Sequence, residues 1–194
     1  MAAIRDHMPE DLRGVVTFLF FSGWRVGEAL GLEWSRVDRD IGVVRLETGE
    51  TKSGEARTLP YGALPELVAV IDAQHARREA LQRKHGAITP YVFFRERQRV
   101  IKHRARKAKP IRRVLHVDFL DAWQAAVKAA GVPGRIPHDL RRSAARNMLQ
   151  AGIPQRLAMA LGGWKTPSVF HRYGIVDESM LRDALAKLTG PKSG

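Results

Sequence analysis

The sequence predicts an α+β fold that is mainly α-helical and carries a small antiparallel β-sheet of two to three strands. Apolar residues recur at helical spacing through most of the chain, whereas residues 42–60 hold two short β-prone runs separated by turn-forming residues. The chain has 194 residues, of which 44% are hydrophobic, enough for one domain with a substantial core. We therefore expect residues 1–194 to form a single domain.

The first half of the chain is predicted to contain two helices, two strands and one longer helix. In chain order, these elements cover residues 11–21, 25–34, 42–47, 57–60 and 64–84, and an extended segment follows at 91–94. Gly23 is expected to end the first helix, because glycine is the common residue just past a helix C-terminus. The two strands and the turn residues between them predict a hairpin.

The C-terminal third is predicted to be helical throughout. Asp118 is expected to cap a helix that reaches about residue 130, and residues 138–150 form the next helix. Pro154 and Pro167 can each occupy the first turn of a further helix, the second of which contains Tyr173. A last helix is expected after Asp177, ending at about residue 188.

The charge of the chain indicates a polyanionic partner. The net charge is +13 and the sequence pI is near 10.8, which favours nucleic acid, with an anionic membrane surface as the alternative. Ten of the nineteen residues in 95–113 are Lys or Arg and one is acidic. This stretch is either a solvated loop or a segment that binds DNA phosphates. Its cations are Arg95, Arg97, Arg99, Lys102, Arg104, Arg106, Lys107, Lys109, Arg112 and Arg113.

The composition excludes several classes of site and predicts a soluble protein. The chain has no cysteine, so it has no disulfide and no thiolate chemistry. No apolar run approaches the roughly 18 residues that suggest a membrane span, and residues 1–10 lack the apolar core of a signal peptide. We expect neither a membrane partner nor a metal or other cofactor.

Three constellations of cationic side chains are candidates for chemistry. His138 and Arg141 are three residues apart, which places an imidazole and a guanidinium on one helix face, a pair suited to phosphate. Arg25 follows the break at the first helix end, and Glu28 can hold its guanidinium. Lys52 lies at the tip of the predicted hairpin. The alternatives are an exposed His-x-x-Arg pair, a surface ion pair and a solvated lysine.

Four segments of the chain resemble motifs of the tyrosine recombinase (phage integrase) family. Residues 21–38 resemble its first-arginine motif and residues 50–54 its β-hairpin lysine motif. Residues 138–147 resemble its His-x-x-Arg motif, and residues 163–173 its final motif. The four motifs occur in the family's order, and the resemblance covers about residues 11–188. It implies the catalytic domain of this family, a site-specific DNA recombinase or integrase.

The resemblance implies a role for each candidate residue. Tyr173 would attack a DNA phosphate and form a 3′-phosphotyrosine link, which conserves the bond energy, so rejoining needs no ATP. Arg25 and Arg141 would bind the non-bridging oxygens, where negative charge develops. Lys52 would protonate the departing 5′ oxygen, and His138 would assist proton transfer or orient the phosphate. Fixed cations would take the place of a metal ion.

Trp164 departs from the pattern of many family members. Those members carry a second histidine at this position, nine residues before the tyrosine. An indole N–H can donate a hydrogen bond to a phosphate oxygen but cannot shuttle a proton. Trp164 is therefore expected to be a hydrogen-bond donor and a packing group, and the alternative is a purely structural core residue.

The resemblance also implies partners and an architecture. Family members usually carry an N-terminal core-binding domain, and this chain starts at or inside the first catalytic-domain helix, so we expect that domain to be absent here. Double-stranded DNA is the expected partner, with a homotetramer on DNA and a monomer without it. Docking of the last helix on a neighbouring subunit would build that tetramer, and the alternative is that this helix packs against its own domain. A cytoplasmic protein of prokaryotic or phage origin is implied.

Two other functions remain open from the sequence. A type IB-like topoisomerase would use a similar set of residues but would relax supercoils without a specific site. A non-catalytic DNA-binding remnant of an integrase would bind DNA in a salt-sensitive way and cleave none. The retained set of candidate catalytic residues favours the recombinase over the remnant.

Overall fold

The computed structural model describes residues 1–49, 56–86, 88–96 and 111–171, together with residues 182, 185 and 186. The helices are α1 (Ala2–His7), α2 (Glu10–Ser22), α3 (Val26–Leu30), α4 (Pro65–His85), α5 (His116–Ala129), α6 (His138–Gln150), α7 (Gln155–Gly162) and α8 (Pro167–His171). The strands are β1 (Val37–Asp38), β2 (Val43–Leu46), β3 (Arg57–Leu59), β4 (Phe94–Glu96) and β5 (Ile111–Arg113). This mainly helical architecture with small antiparallel sheets confirms the predicted fold class.

The first sheet has the order β1-β2-β3 and is antiparallel throughout. It contains the predicted hairpin, in which Val44 pairs with Leu59 and Leu46 with Arg57, and β1 adds a third strand. In β3 the outer residues are buried and Thr58 between them is exposed. Because side chains alternate between the faces of a strand, Arg57 lies on the same buried face as Leu59.

A second, two-stranded ribbon pairs β4 with β5. The sequence predicted only an extended segment here, because the pairing partner is distant in the chain. Arg95 Nε binds Asp11 Oδ2 of α2 at 2.7 Å, and Arg112 makes two hydrogen bonds to the Asp118 carboxylate of α5. These ion pairs connect the ribbon to two helices. Residues 97–110, which join the two strands, lie outside the described residues.

The main core lies around α2, which packs against α4 and α6. Phe18 of α2 is fully buried and makes edge-to-face contacts with Trp24 and Phe93, at centroid distances of 5.4 and 5.6 Å. A smaller cluster contains Trp164 and Phe170, packed against residues of α6 and α7. The candidate site lies where α2, α6 and α7 meet, between these two clusters.

The largest differences between the observed and the predicted helix boundaries occur at two places. The helix expected over 25–34 ends at Leu30, and residues 34–36 form a 3₁₀ turn instead. α5 begins at His116, two residues before Asp118, whose carboxylate accepts the Leu115 N–H at 3.1 Å in the first turn. Within the described residues, none of the helices combines the length and apolar character needed to cross a membrane.

Candidate active site

Five of the predicted catalytic and supporting residues lie within the described part of the chain, and all five belong to one region. They are Arg25, Glu28, His138, Arg141 and Trp164. Lys52 and Tyr173 lie outside the described residues, so their predicted roles remain predictions. The same holds for most cations of the basic segment, namely Arg97, Arg99, Lys102, Arg104, Arg106, Lys107 and Lys109.

Arg25 precedes the first turn of α3 and is held by Glu28. Its Nη1 donates to Glu28 Oε1 at 2.8 Å, and its backbone N–H donates to Oε2 at 3.0 Å. The Arg25 side chain is about one-third exposed, at 32%, whereas the Glu28 side chain is buried, at 5%. The predicted contact between these residues is therefore present, and it fixes a guanidinium that solvent can still reach.

Glu28 also binds a second arginine, Arg57 of β3. Arg57 Nη1 lies 3.0 Å from Oε2 and Nη2 lies 3.4 Å from Oε1, so the contact is bidentate. Burial raises the pKa of the Glu28 carboxyl, but hydrogen bonds from Arg57 and Arg25 outweigh this effect and lower the pKa below its ordinary value. Glu28 is consequently a carboxylate near neutral pH, with two guanidiniums around it.

Arg141 of α6 is buried, and its guanidinium donates to backbone carbonyls from two separate turns. Its Nη1 donates to the carbonyls of Gly23 and Gly162, and its Nη2 donates to that of Gly163 at 3.0 Å. Gly23 and Gly163 follow α2 and α7 and both have positive φ, 67° and 71°, conformations that favour glycine. Arg141 thus joins the ends of α2 and α7.

Trp164 packs against the Arg141 guanidinium at this junction. Its ring lies 4.2 Å from Arg141 Cζ and makes an edge-to-face contact with Phe170 at 5.1 Å. A Cβ added at Gly23 would lie 2.8 Å from the indole, and one added at Gly162 would overlap it. The two glycines therefore let the indole approach the backbone closely. Trp164 is 5% exposed and packs as predicted, while hydrogen bonding to phosphate remains a prediction.

His138 occupies the first turn of α6, one turn before Arg141. Much of the residue is exposed to solvent, but neighbouring protein atoms cover part of it, and this partial loss of solvation lowers the pKa of its imidazole. The charges of Arg141, Arg142 and Arg25 lower it further, and Asp139 opposes them. The ring is therefore neutral at pH 7 and able to accept a proton.

Further cations lie on the surface near these residues. Arg142 and Arg146 lie one turn apart in α6, and Lys165 follows Trp164; all three are exposed. In the β4–β5 ribbon, Arg95 and Arg112 are engaged by carboxylates of helices, while Arg113 is exposed near the Tyr91 ring. The ion pairs give Arg95 and Arg112 a structural role in addition to the predicted DNA contact.

The arrangement can bind an anion and accept a proton. Two guanidiniums and a neutral imidazole come together from two chain segments, the turn before α3 and helix α6, and a forked guanidinium matches the oxygens of a phosphate. Within the ranges that the structure describes, no group of three or more His, Asp or Glu side chains comes together in a way that could hold a metal ion. The two guanidiniums can supply electrostatic stabilisation, and the neutral imidazole can accept a proton.

Sequence reasoning missed Arg57, which completes the contacts of Glu28. A signal was present, because Arg57 stands two residues before Leu59 in a predicted strand and so shares its face. An arginine on a buried face requires a carboxylate or carbonyl partner. The sequence alone does not identify that partner, because the partner depends on how β3 packs against α3 and α7.

Comparisons with known proteins point to one family. The family described as "Phage integrase family" matches residues 1–180. The integrase of Salmonella phage P22 is 29% identical over 172 residues, which cover 87% of this chain and 40% of that protein. Tyrosine recombinase XerD of Mycobacterium leprae (strain TN) is 27% identical over 181 residues, covering 90% of this chain and 51% of that protein. The chain thus spans about half or less of the length of these two relatives.

Solved structures share the fold at low sequence identity. A crystal structure of XerA recombinase superposes with a TM-score of 0.65 and 20% identity, covering 93% of this chain and 59% of that one. The XerH site-specific recombinase, bound to palindromic difH substrate in a post-cleavage complex, gives a TM-score of 0.62 and 16% identity. That match covers 97% of this chain and 51% of the XerH chain.

Proposed function

Because the chain belongs to the phage integrase family, we propose that it is the catalytic domain of a site-specific DNA recombinase with Tyr173 as its nucleophile. It cuts and rejoins DNA through a 3′-phosphotyrosine intermediate. The relatives from phage P22 and Mycobacterium leprae are an integrase and a tyrosine recombinase, which supports this reaction. Residues 1–194 form one domain in this proposal, and the family match over 1–180 supports that assignment.

The observation that carries the proposal is the convergence of Arg25, His138 and Arg141. These residues come from two separate motifs, yet Arg141 donates to the carbonyl of Gly23, two residues before Arg25, and both arginines lower the pKa of His138. A scissile phosphate in the transition state gains negative charge on its non-bridging oxygens, and preorganised cations stabilise that charge. To reach the phosphate, Arg141 exchanges one of its carbonyl contacts for an oxygen of the DNA.

The proposed reaction is a pair of transesterifications. The Tyr173 oxygen attacks phosphorus, a phosphorus–oxygen bond to tyrosine forms, and the bond to the 5′ oxygen of the next nucleotide breaks. The 5′ hydroxyl of a partner strand then attacks the phosphotyrosine, restores a DNA phosphodiester and releases the tyrosine. The number of phosphate ester bonds is unchanged, so no ATP is consumed.

Two residues move the protons. A free tyrosine has a pKa of about 10, so a nearby acceptor assists its attack at neutral pH. His138 fits this role because its imidazole is neutral at pH 7. Lys52, as the resemblance to the family implies, donates a proton to the departing 5′ oxygen. Trp164 packs on Arg141 and offers its indole N–H to a phosphate oxygen.

Double-stranded DNA is the proposed partner. The net charge of +13 and the exposed cations Arg142, Arg146 and Lys165 support it, as does the basic stretch at 95–113. Solved structures with the same fold include XerH bound to difH substrate. We extend the proposal to a homotetramer on DNA, a monomer without it and a cytoplasmic location in a bacterium or phage.

Covalent trapping on a randomised pool tests the nucleophile even when the target sequence is unknown. The chain is incubated with nicked duplexes that carry a randomised core, on which cleavage releases a short strand and prevents rejoining. We expect a protein–DNA adduct that survives denaturation, formed by the wild type and absent from Tyr173→Phe. Tyr91→Phe removes another tyrosine hydroxyl and serves as the matched control, which should form as much adduct as the wild type.

The sequences recovered in the adduct separate the rival functions. One enriched core sequence supports a site-specific recombinase, whereas adducts without sequence preference, with relaxation of any supercoiled plasmid, support a topoisomerase. Salt-sensitive DNA binding without any adduct supports the non-catalytic remnant. Equal adduct from Tyr173→Phe and wild type would show that Tyr173 is not the nucleophile.

A further inference from the structure

We propose that Arg57 is a positioning residue for Arg25, acting through Glu28, and that it connects the Arg25 site to the turn at Gly163. This inference rests on the proposed function, in which Arg25 binds the scissile phosphate. None of the family motifs identified in the sequence includes Arg57. Its assignment follows from its contacts in the folded chain.

The burial of Arg57 is the first observation. Its side chain is 4% exposed, and its guanidinium carbon lies 5.2 Å from the centre of the Trp24 ring. A guanidinium is costly to remove from water and is retained in a core only with well-placed partners. The aromatic face of Trp24 is one such partner, because ring quadrupoles attract cations.

The second observation concerns the hydrogen bonds that the Glu28 carboxylate accepts. Its Oε1 accepts from Arg25 Nη1 and Arg57 Nη2, and its Oε2 accepts from the Arg25 backbone N–H and Arg57 Nη1. A carboxylate has about four acceptor positions, and two arginines occupy all of them. Arg57 therefore sets the rotation of the Glu28 carboxylate and, through it, the position of the Arg25 guanidinium.

The charge balance gives this arrangement a functional consequence. A pair of Arg25 and Glu28 alone would be neutral, so the carboxylate would cancel much of the attraction between Arg25 and a phosphate. With Arg57 added, two cations share one anion and the set carries a net positive charge. Arg57 thus supplies the countercharge of Glu28 and leaves the exposed guanidinium of Arg25 for the DNA.

The third observation connects the two halves of the site. A side chain at Gly163 would overlap the Arg57 guanidinium, so Arg57 lies directly against this turn. The Gly163 carbonyl in turn accepts a hydrogen bond from Arg141 Nη2 at 3.0 Å. One buried side chain, Arg57, therefore contacts both the partner of Arg25 and the turn that holds Arg141.

The test uses Arg57→Gln and Arg57→Lys, with Arg45→Gln as the matched control. Arg45 is also a strand arginine with a carboxylate partner, Asp38 at 3.4 Å, but it is exposed. Two quantities are measured in the full chain. The first is the pKa of the Glu28 carboxyl from carbon-detected NMR. The second is the cleavage rate at saturating DNA, on the nicked duplex recovered by covalent trapping, alongside the Kd for that duplex.

We expect Arg57→Gln to raise the pKa of Glu28 and to slow cleavage by about tenfold or more, with a much smaller change in Kd. The defect should grow as the pH falls, because a protonated Glu28 no longer holds Arg25. Arg57→Lys keeps the charge and should recover part of the rate. A purely structural role would not make the defect depend on pH, and Arg45→Gln should match the wild type.

Different results would overturn the role of Arg57 and the proposed recombinase function. An unchanged Glu28 pKa in Arg57→Gln, or a slowed rate without the added pH dependence, overturns the role of Arg57. If Arg57→Gln does not fold, Arg57→Lys decides, and a wild-type rate at every pH overturns the role. Absence of adduct from the wild type overturns the proposed function, while a raised Glu28 pKa in the same preparations still supports Arg57 as the residue that positions Glu28.

Discussion

The two arginines of the candidate site are held by different kinds of partner. Arg25 is bound by the side chain of Glu28 and remains 32% exposed, whereas Arg141 donates to backbone carbonyls of two turns and is 4% exposed. The position of Arg25 therefore depends on the charge of neighbouring side chains. The position of Arg141 depends on glycine-containing turns whose backbone must keep its shape.

Because of this difference, the Arg25 region and the Arg141 region should be sensitive to different substitutions. Neutralising a carboxylate should disturb the Arg25 region and leave the carbonyls around Arg141 in place. Adding a side chain to a turn should disturb the Arg141 region first. Gly163 is the position where the two meet, because its carbonyl binds Arg141 and its α-carbon lies against Arg57.

Substitution of Gly163 by alanine should therefore have the largest effect. The residue has a φ of 71°, which costs an alanine about 1–2 kcal/mol, and the new methyl group would overlap the Arg57 guanidinium. We expect Gly163→Ala to lower the free energy of unfolding by about 4 kcal/mol, measured by urea denaturation. Covalent trapping by this variant should be lost.

Gly131→Ala is the matched control for this prediction. Gly131 has nearly the same φ, 69°, but a Cβ there would meet no atom within 4 Å. Its substitution should cost only the backbone strain of about 1–2 kcal/mol. Equal losses in the two variants would mean that the contact of Gly163 with Arg57 contributes nothing to stability.

The sequence predicts the parts of this site that depend on local pattern. Helical periodicity places His138 and Arg141 in one helix, and the contact between Arg25 and Glu28 spans a single turn. The carbonyl contacts of Arg141 are not predictable in this way. They require α2, α6 and α7 to meet, and tertiary packing rather than residue spacing determines where helices meet.

The second ribbon illustrates the same limit. β4 is a short strand, and a segment rich in Lys and Arg separates it from its partner β5 in the sequence. No turn motif between the two strands therefore predicts their pairing. Composition indicated that residues 95–113 are either a solvated loop or a segment that binds DNA phosphates. It did not indicate that Arg95 and Arg112 at the ends of this segment form ion pairs with Asp11 and Asp118.

Glu28→Gln should have the next largest effect, because it removes the charge between two guanidiniums. Breaking a buried ion pair by neutralising one partner leaves the other unpaired, and we expect a loss of about 3 kcal/mol at pH 7. The pKa of Glu28 is lowered in the folded state, so its stabilisation is complete above the ordinary value of 4.5. That stabilisation disappears as the pH falls through the folded-state pKa.

Urea denaturation as a function of pH measures both parts of this prediction. The curves of free energy against pH for wild type and Glu28→Gln should differ most near neutral pH and converge on acidification. Glu47→Gln is the matched control, since Glu47 forms an exposed pair with Arg36 at 3.6 Å, and it should change stability by less than about 1 kcal/mol. A constant gap between wild type and Glu28→Gln at all pH values would contradict the lowered pKa.

The smallest expected effect concerns His138, whose proton affinity both arginine regions influence. Arg142 lies one turn after His138 and is among the charges that lower the pKa of its imidazole. Arg142→Gln removes that charge and also frees Asp139 from its ion pair with Arg142 at 3.0 Å. Both changes favour the imidazolium, so the pKa of His138 should rise.

NMR titration of the His138 ring measures this shift, and added salt should reduce it because Arg142 is exposed. Arg146→Gln, one turn further along α6, is the control and should move the pKa less. A higher pKa places more of the ring in the charged form near pH 7, so Arg142→Gln should also cleave DNA more slowly as the pH falls from neutral. An unchanged or lowered pKa would show that Arg142 does not act on this ring, and would leave partial burial and the charge of Arg141 as the main causes of the lowered value.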